Sequence, residues 1–316
     1  MAPASIIPTL SRSRRRIYFR LAVLVFVFAI PFLFLYATGY RIDGFSSLTS
    51  TGGIYVGTGQ ADASIYIDGE LVHETGTFRR AFYVQDLIPG SYTILVSKEG
   101  YHPWKKVLPV EAYRVTEAQA FNLPEEPLLV LIPPTFTIQT PNATTTATST
   151  VFLSNPVYEE ITASFATTTQ AGLIQQAPRA SASAEERLIS TVAVSKTATT
   201  TKEFRGMQLY DAGERVVARW VRERDTAPFY LCAEEGVCMS EVSLTTDGEK
   251  PSYFDFLPGT SDLAIVTLSS GVYVVELDNR SGQNIQPLFP TPGADFRIVG
   301  GGIYVKSGQS IYKVEI

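Results

Sequence analysis

Cys232 and Cys238 frame Ala233-Glu234-Glu235-Gly236-Val237 and are the only cysteines in 316 residues. On two arms of a tight hairpin, residues this close can meet the Cα separation that a disulfide requires. Closing so short a loop contributes about 2 kcal/mol by chain entropy. Two free thiols are a second reading of the pair, and half of a metal site a third. Zinc ordinarily takes four ligands, and no histidine lies near. The two histidines, His73 and His102, sit beside turns elsewhere in the chain. Neither H-E-x-x-H, C-x-x-C, a Walker loop nor G-x-S-x-G occurs. Gly300-Gly301-Gly302 shares only its composition with a phosphate loop. The alternating Ile303-Tyr304-Val305 follows it, not a helix whose N-terminus could hold an anion.

Paired carboxylates could hydrolyse a glycoside. Asp255 and Asp262 flank a turn, and Glu159-Glu160 and Glu185-Glu186 are adjacent. Neighbours on a strand face opposite ways, and in a chain with 31 acidic residues such pairs arise by coincidence. No catalytic residue, metal ligand or cofactor is expected. Aromatic faces suit sugars and peptides better. Tyr83, Tyr101, Trp104 and Tyr113 gather in one stretch of the chain, Trp220, Tyr230, Tyr253 and Tyr273 in another. Tyr101, Trp104 and Trp220 are the candidate binding aromatics, with the filling of β cores as the competing role.

These residues need elements to hold them, and the first element is apolar. Leu21–Ala37 is 17 uncharged residues, preceded by Arg12, Arg14, Arg15, Arg16 and Arg20 with no acidic residue among them. A helix over 17–38 would run about 33 Å at 1.5 Å per residue, enough for the roughly 30 Å hydrocarbon core. The arginines hold the N-terminus in the cytoplasm and send the rest across. A cleaved signal peptide is the competing reading, with small residues at Ala37-Thr38-Gly39. The apolar core exceeds the 7–15 residues of a signal h-region, which favours an uncleaved anchor. Without the five arginines, 21 basic side chains face 31 acidic ones. That argues against nucleic acid, which needs a basic footprint, and against docking on anionic headgroups.

After a polar connector over 39–51, residues 52–124 read as closely spaced short strands. Gly53–Gly57 and Ser64–Ile67 are apolar runs ending in turn residues, and Asp68-Gly69 is a two-residue hairpin signal. Pro89-Gly90 and Glu99-Gly100 turn the chain again, and Tyr92, Ile94 and Val96 share one strand face. Strands over 105–111 and 115–123 follow. The expectation is a small antiparallel β-sandwich, since such sheets need a partner for the apolar face.

Ile65-Tyr66-Ile67-Asp68-Gly69, Pro89-Gly90-Ser91-Tyr92, Gly100-Tyr101 and Trp104 resemble the PEGA domain. Gln60-Ala61-Asp62-Ala63 keeps only the final alanine of the element that names that family, and its usual Thr-Pro is missing around Thr75-Gly76-Thr77. The resemblance implies an extracytoplasmic β-module without catalytic residues, common on bacterial and archaeal surfaces. The order of basic stub, anchor and TGGIYV also resembles membrane-tethered PEGA proteins of small-genome bacteria.

Residues 125–203 are rich in Thr, Ser, Ala and Pro and read as partly ordered β with long loops. Within them Leu128–Ile132 and Val151–Leu153 are strand-like, and Ser183-Ala-Glu-Glu186 could cap a short helix. From 204 to 316 strands are expected at 216–221, 229–231, 252–256, 263–268, 272–277, 296–299, 303–306 and 311–314. Turns fall at Ser270-Gly271, Ser281-Gly282, Gly300-Gly301 and Ser307-Gly308. Their rhythm, near 40 residues, resembles WD40-like or TolB-like propeller blades. The chain from 125 holds about four such units, few for a closed ring, so an irregular or open β-domain competes.

The fold class expected is therefore mostly β: a transmembrane helix, a small sandwich, then a second β-rich domain, propeller-like or irregular. Its boundaries are a cytoplasmic stub at 1–16, helix 17–38, connector 39–51, module 52–124, linker 125–203 and second domain 204–316. The function expected is non-catalytic binding or scaffolding in the cell envelope. The partners are the bilayer, through the N-terminal helix, and envelope proteins or glycans, with no nucleic acid. The alternatives are an envelope hydrolase with its site in the second domain, and a receptor subunit that signals through a partner.

Overall fold

In the computed structural model the described residues are 11–43, 47–76, 80–141, 148–170, 201–223, 226–232 and 238–316. Helix α1 spans Arg12–Ala37, and Ser11 caps it by accepting from the Arg14 amide. No side chain of α1 is buried, and its large apolar residues other than Leu35 stand 43–70% exposed. Twenty-six residues give about 39 Å of helix, long and apolar enough to cross a membrane. Four arginines open the helix and its first turn carries no acidic residue. Cations there oppose the helix dipole, so their placement serves something other than helix stability. Pro31 lies inside the span. The expected connector is in part a hairpin, β1 (Tyr40–Asp43) paired with β2 (Ser47–Ser50).

Seven strands follow: β3 (Gly52–Thr58), β4 (Ser64–Ile67), β5 (Glu70–Glu74), β6 (Ala81–Leu87), β7 (Gly90–Ser97), β8 (Trp104–Val110) and β9 (Val115–Ala120). They form two antiparallel sheets, ordered β6-β3-β9 and β5-β4-β7-β8. Asp68 and Gly69 both take positive φ, 51° and 88°, as a type I′ turn between β4 and β5 demands. Cross-strand partners Ile65–Val96 and Ile67–Ile94 bury one face of β4 and β7.

The chain divides into two compact units differently from the sequence boundaries. One holds Met1–Gly57, Ala81–Tyr92 and Leu108–Gln119; the other holds Thr58–Arg80, Thr93–Val107 and Ala120–Ile316. Within the 52–124 stretch, Thr58–Arg80, Thr93–Val107 and the residues from Ala120 thus belong with the C-terminal sheets, in part through the side chains at the start of β8.

Beyond residue 124 the strands are β10 (Leu128–Ile132), β11 (Thr135–Pro141) and β12 (Thr148–Ser154). Helix α2 (Pro156–Gln170) comes next, where the sequence pointed to loops. Asn155 Oδ1 accepts from the Val157 and Tyr158 amides at 3.1 and 3.4 Å, an N-cap followed by proline at the first helical position. Ile161 and Phe165 of this helix cluster with Ile311. Arg297 donates to the Ser164 carbonyl at 3.3 Å and lies over the Phe165 ring. The helix expected near Ser183 lies outside the described residues.

The remaining strands are β13 (Thr201–Phe204), β14 (Met207–Asp211), β15 (Val216–Trp220), β16 (Glu241–Ser243), β17 (Tyr253–Phe256), β18 (Leu263–Leu268), β19 (Gly271–Glu276), β20 (Ile285–Phe289), β21 (Asp295–Val299), β22 (Gly302–Ser307) and β23 (Ser310–Glu315). They build three four-stranded antiparallel sheets: β13-β14-β15-β16, β17-β18-β19-β20 and β10-β23-β22-β21. The last is completed by β10, whose Leu128–Ile132 pair with Ile311–Glu315, so the boundary drawn at 204 cuts through this sheet. Phe229–Leu231 is a 3₁₀ turn, not the expected strand, since Pro228 removes a ladder donor and sets a turn-like φ. Gly300 and Gly301, at φ 56° and 78°, form the β21–β22 turn.

Candidate functional site

Strand β8 alternates strictly, with Trp104, Lys106, Leu108 and Val110 turned inward and buried. A lysine in that register needs a partner, because burying an isolated ammonium is prohibitively costly. Glu276, the last residue of β19, supplies it. The Lys106 Nζ donates to Glu276 Oε1 and, at 2.8 Å, to the Asp278 carbonyl. The Asp278 carboxylate lies 3.6 Å away. Side-chain exposure is 0% for Lys106 and 3% for Glu276, so the pair is closed to water. The other Glu276 oxygen accepts from the Trp104 indole at 2.8 Å. Its Oε1 also takes the amide and side-chain nitrogen of Asn284, both at 2.8 Å.

Around this pair, side chains of the β19–β20 region satisfy the backbone of β8 and its neighbours. Asn284 exchanges two bonds with the Lys105 main chain, at 3.4 and 3.0 Å. Ser281 Oγ accepts from the Val107 amide at 2.9 Å. Buried Gln286 accepts from the Leu123 amide at 2.8 Å and donates to the carbonyls of Phe121 and Pro103 at 3.0 and 3.3 Å. Side-chain amides here play the part of a neighbouring strand. A continuous polar seam joins β8 to the middle C-terminal sheet.

Trp104, expected among ligand-binding aromatics, is fully buried with its indole committed to Glu276, so no ligand reaches it. Tyr101 is half-buried, bridges Pro124 and carries the Lys98 ammonium 4.5 Å above its ring. Trp220, at the end of β15, donates to the Glu223 carbonyl at 2.9 Å. With Val221, Arg222, Glu223 and Thr226 it lines an open cavity of about 700 Å³.

Cys232 and Cys238 are joined as a disulfide across an isolated antiparallel bridge. Arg12, Arg14, Arg15, Arg16 and Arg20 are all exposed along α1. Asp255 is held by Lys202 at 2.7 Å. Burial raises the Asp262 carboxyl above its ordinary range, and the nearby Asp278 adds to the effect. Burial likewise raises the Tyr230 phenol, beside the same two carboxylates. Glu159 and Glu160 are exposed on α2, and Glu185 and Glu186 lie outside the described residues. Among the described residues no group of three or more His, Cys, Asp or Glu side chains could hold a metal ion.

Two signals in the sequence could have found the seam. Lys106 interrupts the inward face of WKKVLPV, and Glu276 ends an otherwise apolar inward run, VYVVE. Only their pairing, 170 residues apart, was out of reach of local pattern.

The fold is mostly β, small antiparallel sheets that follow an apolar helix in the chain. Residues 51–124 match the model of the PEGA domain family, and the strands and turns quoted above fall inside that span. No curated protein is found to match the chain.

Proposed function

We propose that this protein is a membrane-tethered, non-catalytic binding or scaffolding component of a bacterial cell envelope. It spans the plasma membrane once, with the arginine-rich stub cytoplasmic and the β-rich mass outside. One observation carries the reading. A 26-residue helix without a buried side chain precedes a PEGA-matching segment that the Lys106–Glu276 seam fastens to the C-terminal sheets. An anchor and a locked assembly of sheets suit holding a partner at a fixed place.

The non-catalytic reading gains support from Asp255, which Lys202 neutralises, from the commitment of Glu276 to Lys106, and from that of Asp278 to Arg280. Three four-stranded sheets, the last completed by β10, support a propeller-like reading of 125–316. With Trp104 enclosed, the candidate aromatics left for a peptide or glycan are Tyr101 and Trp220, the latter beside Arg222 in its open cavity.

Two measurements test this. External protease on intact cells should remove an epitope placed after Ile316 and spare one at the N-terminus; the reverse pattern overturns the orientation. The detergent-purified chain should retain peptides or glycan fragments from an envelope digest, and Trp220→Ala should lose them while still unfolding cooperatively, at a lower temperature because Trp220 also packs on the core of the C-terminal sheets. Hydrolysis of those fragments, abolished by Asp255→Asn or Asp262→Asn, would favour the enzyme instead.

A further inference from the structure

We propose that the pocket at the C-terminal end of α1 binds a zwitterionic phospholipid headgroup carrying a primary ammonium. This would seat the surrounding part of the chain on the bilayer surface. The proposal rests on α1 being a membrane anchor. The cavity measures about 510 Å³, and its lining includes Tyr36, Arg41, Tyr83, Asp86, Tyr113 and Arg114. Tyr36 belongs to the last turn of α1. A helix of about 39 Å is longer than the hydrocarbon core, so its ends lie at headgroup depth. Groups that share a cavity with Tyr36 share that depth.

The chemistry of the lining matches that location. Tyr36, Tyr83 and Tyr113 are 60%, 50% and 57% exposed, three amphipathic rings of the kind that settle at a membrane–water boundary. Tyr113 holds φ at +62°, a left-handed conformation that a bulky residue adopts only under constraint. Its amide donates to the Thr51 carbonyl at 2.8 Å, and its ring meets Tyr40 edge-on. The Arg41 guanidinium stacks 3.8 Å over the Tyr36 ring and donates to the Tyr36 carbonyl at 3.0 Å, fixing the exit from the helix.

Charge selects the headgroup. Arg41 is paired with Asp86, and Arg114 with Glu111 at 2.6 Å. The lining thus offers two guanidiniums, Arg41 and Arg114, to receive a phosphate and the Asp86 carboxylate to receive an ammonium, while Glu111, paired to Arg114, keeps the collar locally neutral. An anionic headgroup would leave the Asp86 and Glu111 carboxylates opposed, in a chain that is itself acidic. A quaternary choline cannot donate a hydrogen bond to them at all.

Native mass spectrometry of the full chain, purified in detergent with equal phosphatidylethanolamine, phosphatidylglycerol and phosphatidylcholine, tests the site. Phosphatidylethanolamine should be retained about tenfold over either competitor. Arg41→Gln with Arg114→Gln should erase that preference. Asp86→Asn with Glu111→Gln should turn it toward phosphatidylglycerol, a switch that a misfolded chain would not show. Equal retention of all three lipids by the native chain, native preference for phosphatidylglycerol, or a preference that survives the arginine changes overturns the proposal. The anchor is read separately: release of the uncleaved chain from membranes by alkaline carbonate defeats the anchor itself, whatever the headgroup result.

Discussion

Lys106 on β8 and Glu276 at the end of β19 form an ion pair sealed from solvent, with Trp104 donating to the second carboxylate oxygen. Removing one partner of such a pair leaves a buried charge without compensation, at about 3–5 kcal/mol. Lys106→Met should therefore lower the unfolding free energy by about that amount in denaturant titration. Adding Glu276→Gln, which keeps an acceptor for Trp104 but removes the charge, should recover part of the loss. If the double variant is no more stable than the single, the lost stability is not that of an orphaned carboxylate.

Asp262 gives a pH dependence of opposite sense to most carboxylates. Its folded-state pKa is raised, first by burial, so the folded chain binds this proton more tightly than the unfolded one. The stability it contributes is present in acid and is lost as pH rises through the raised value. Asp262→Asn, which keeps an oxygen for the local amides, should melt about 2 °C higher than the native chain at pH 7. The two curves should meet near about pH 3, below the ordinary carboxylate pKa. A variant that melts lower at pH 7 would show that the ionised form is favoured in the fold.

The Cys232–Cys238 disulfide closes a short loop. In protein isolated without reductant, no thiol should react with iodoacetamide until the chain is reduced, after which two should. Replacing both cysteines with serine should cost about 2 kcal/mol. Two reactive thiols in the unreduced protein would return the pair to the free-thiol reading.

The two tryptophans should separate in fluorescence. Trp104 is fully buried, whereas Trp220 lines an open cavity. Acrylamide should quench part of the native emission, and Trp220→Phe should leave a blue-shifted component that is hardly quenched. An unchanged quenching curve in that variant would mean that Trp104 meets solvent.

Local chemistry carried far in this chain. Apolar length and an arginine asymmetry marked α1 without reference to any other residue. Positive-φ pairs such as Asp68-Gly69 and Gly300-Gly301 marked their hairpins, because turn geometry is decided within four residues. The cap of α2, Asn155-Pro156, was equally local but was masked by the Thr-rich composition around it. What local pattern could not carry was partnership. Whether Lys106 was an error of register or half of an ion pair depended on Glu276, and which sheet the strand-like Leu128–Ile132 would join depended on Ile311–Glu315. Trp104 and Trp220 look alike in sequence, yet one is sealed and the other open. Propensity and periodicity are written over a few neighbouring residues; burial and charge compensation are sums over side chains that only the folded chain brings together.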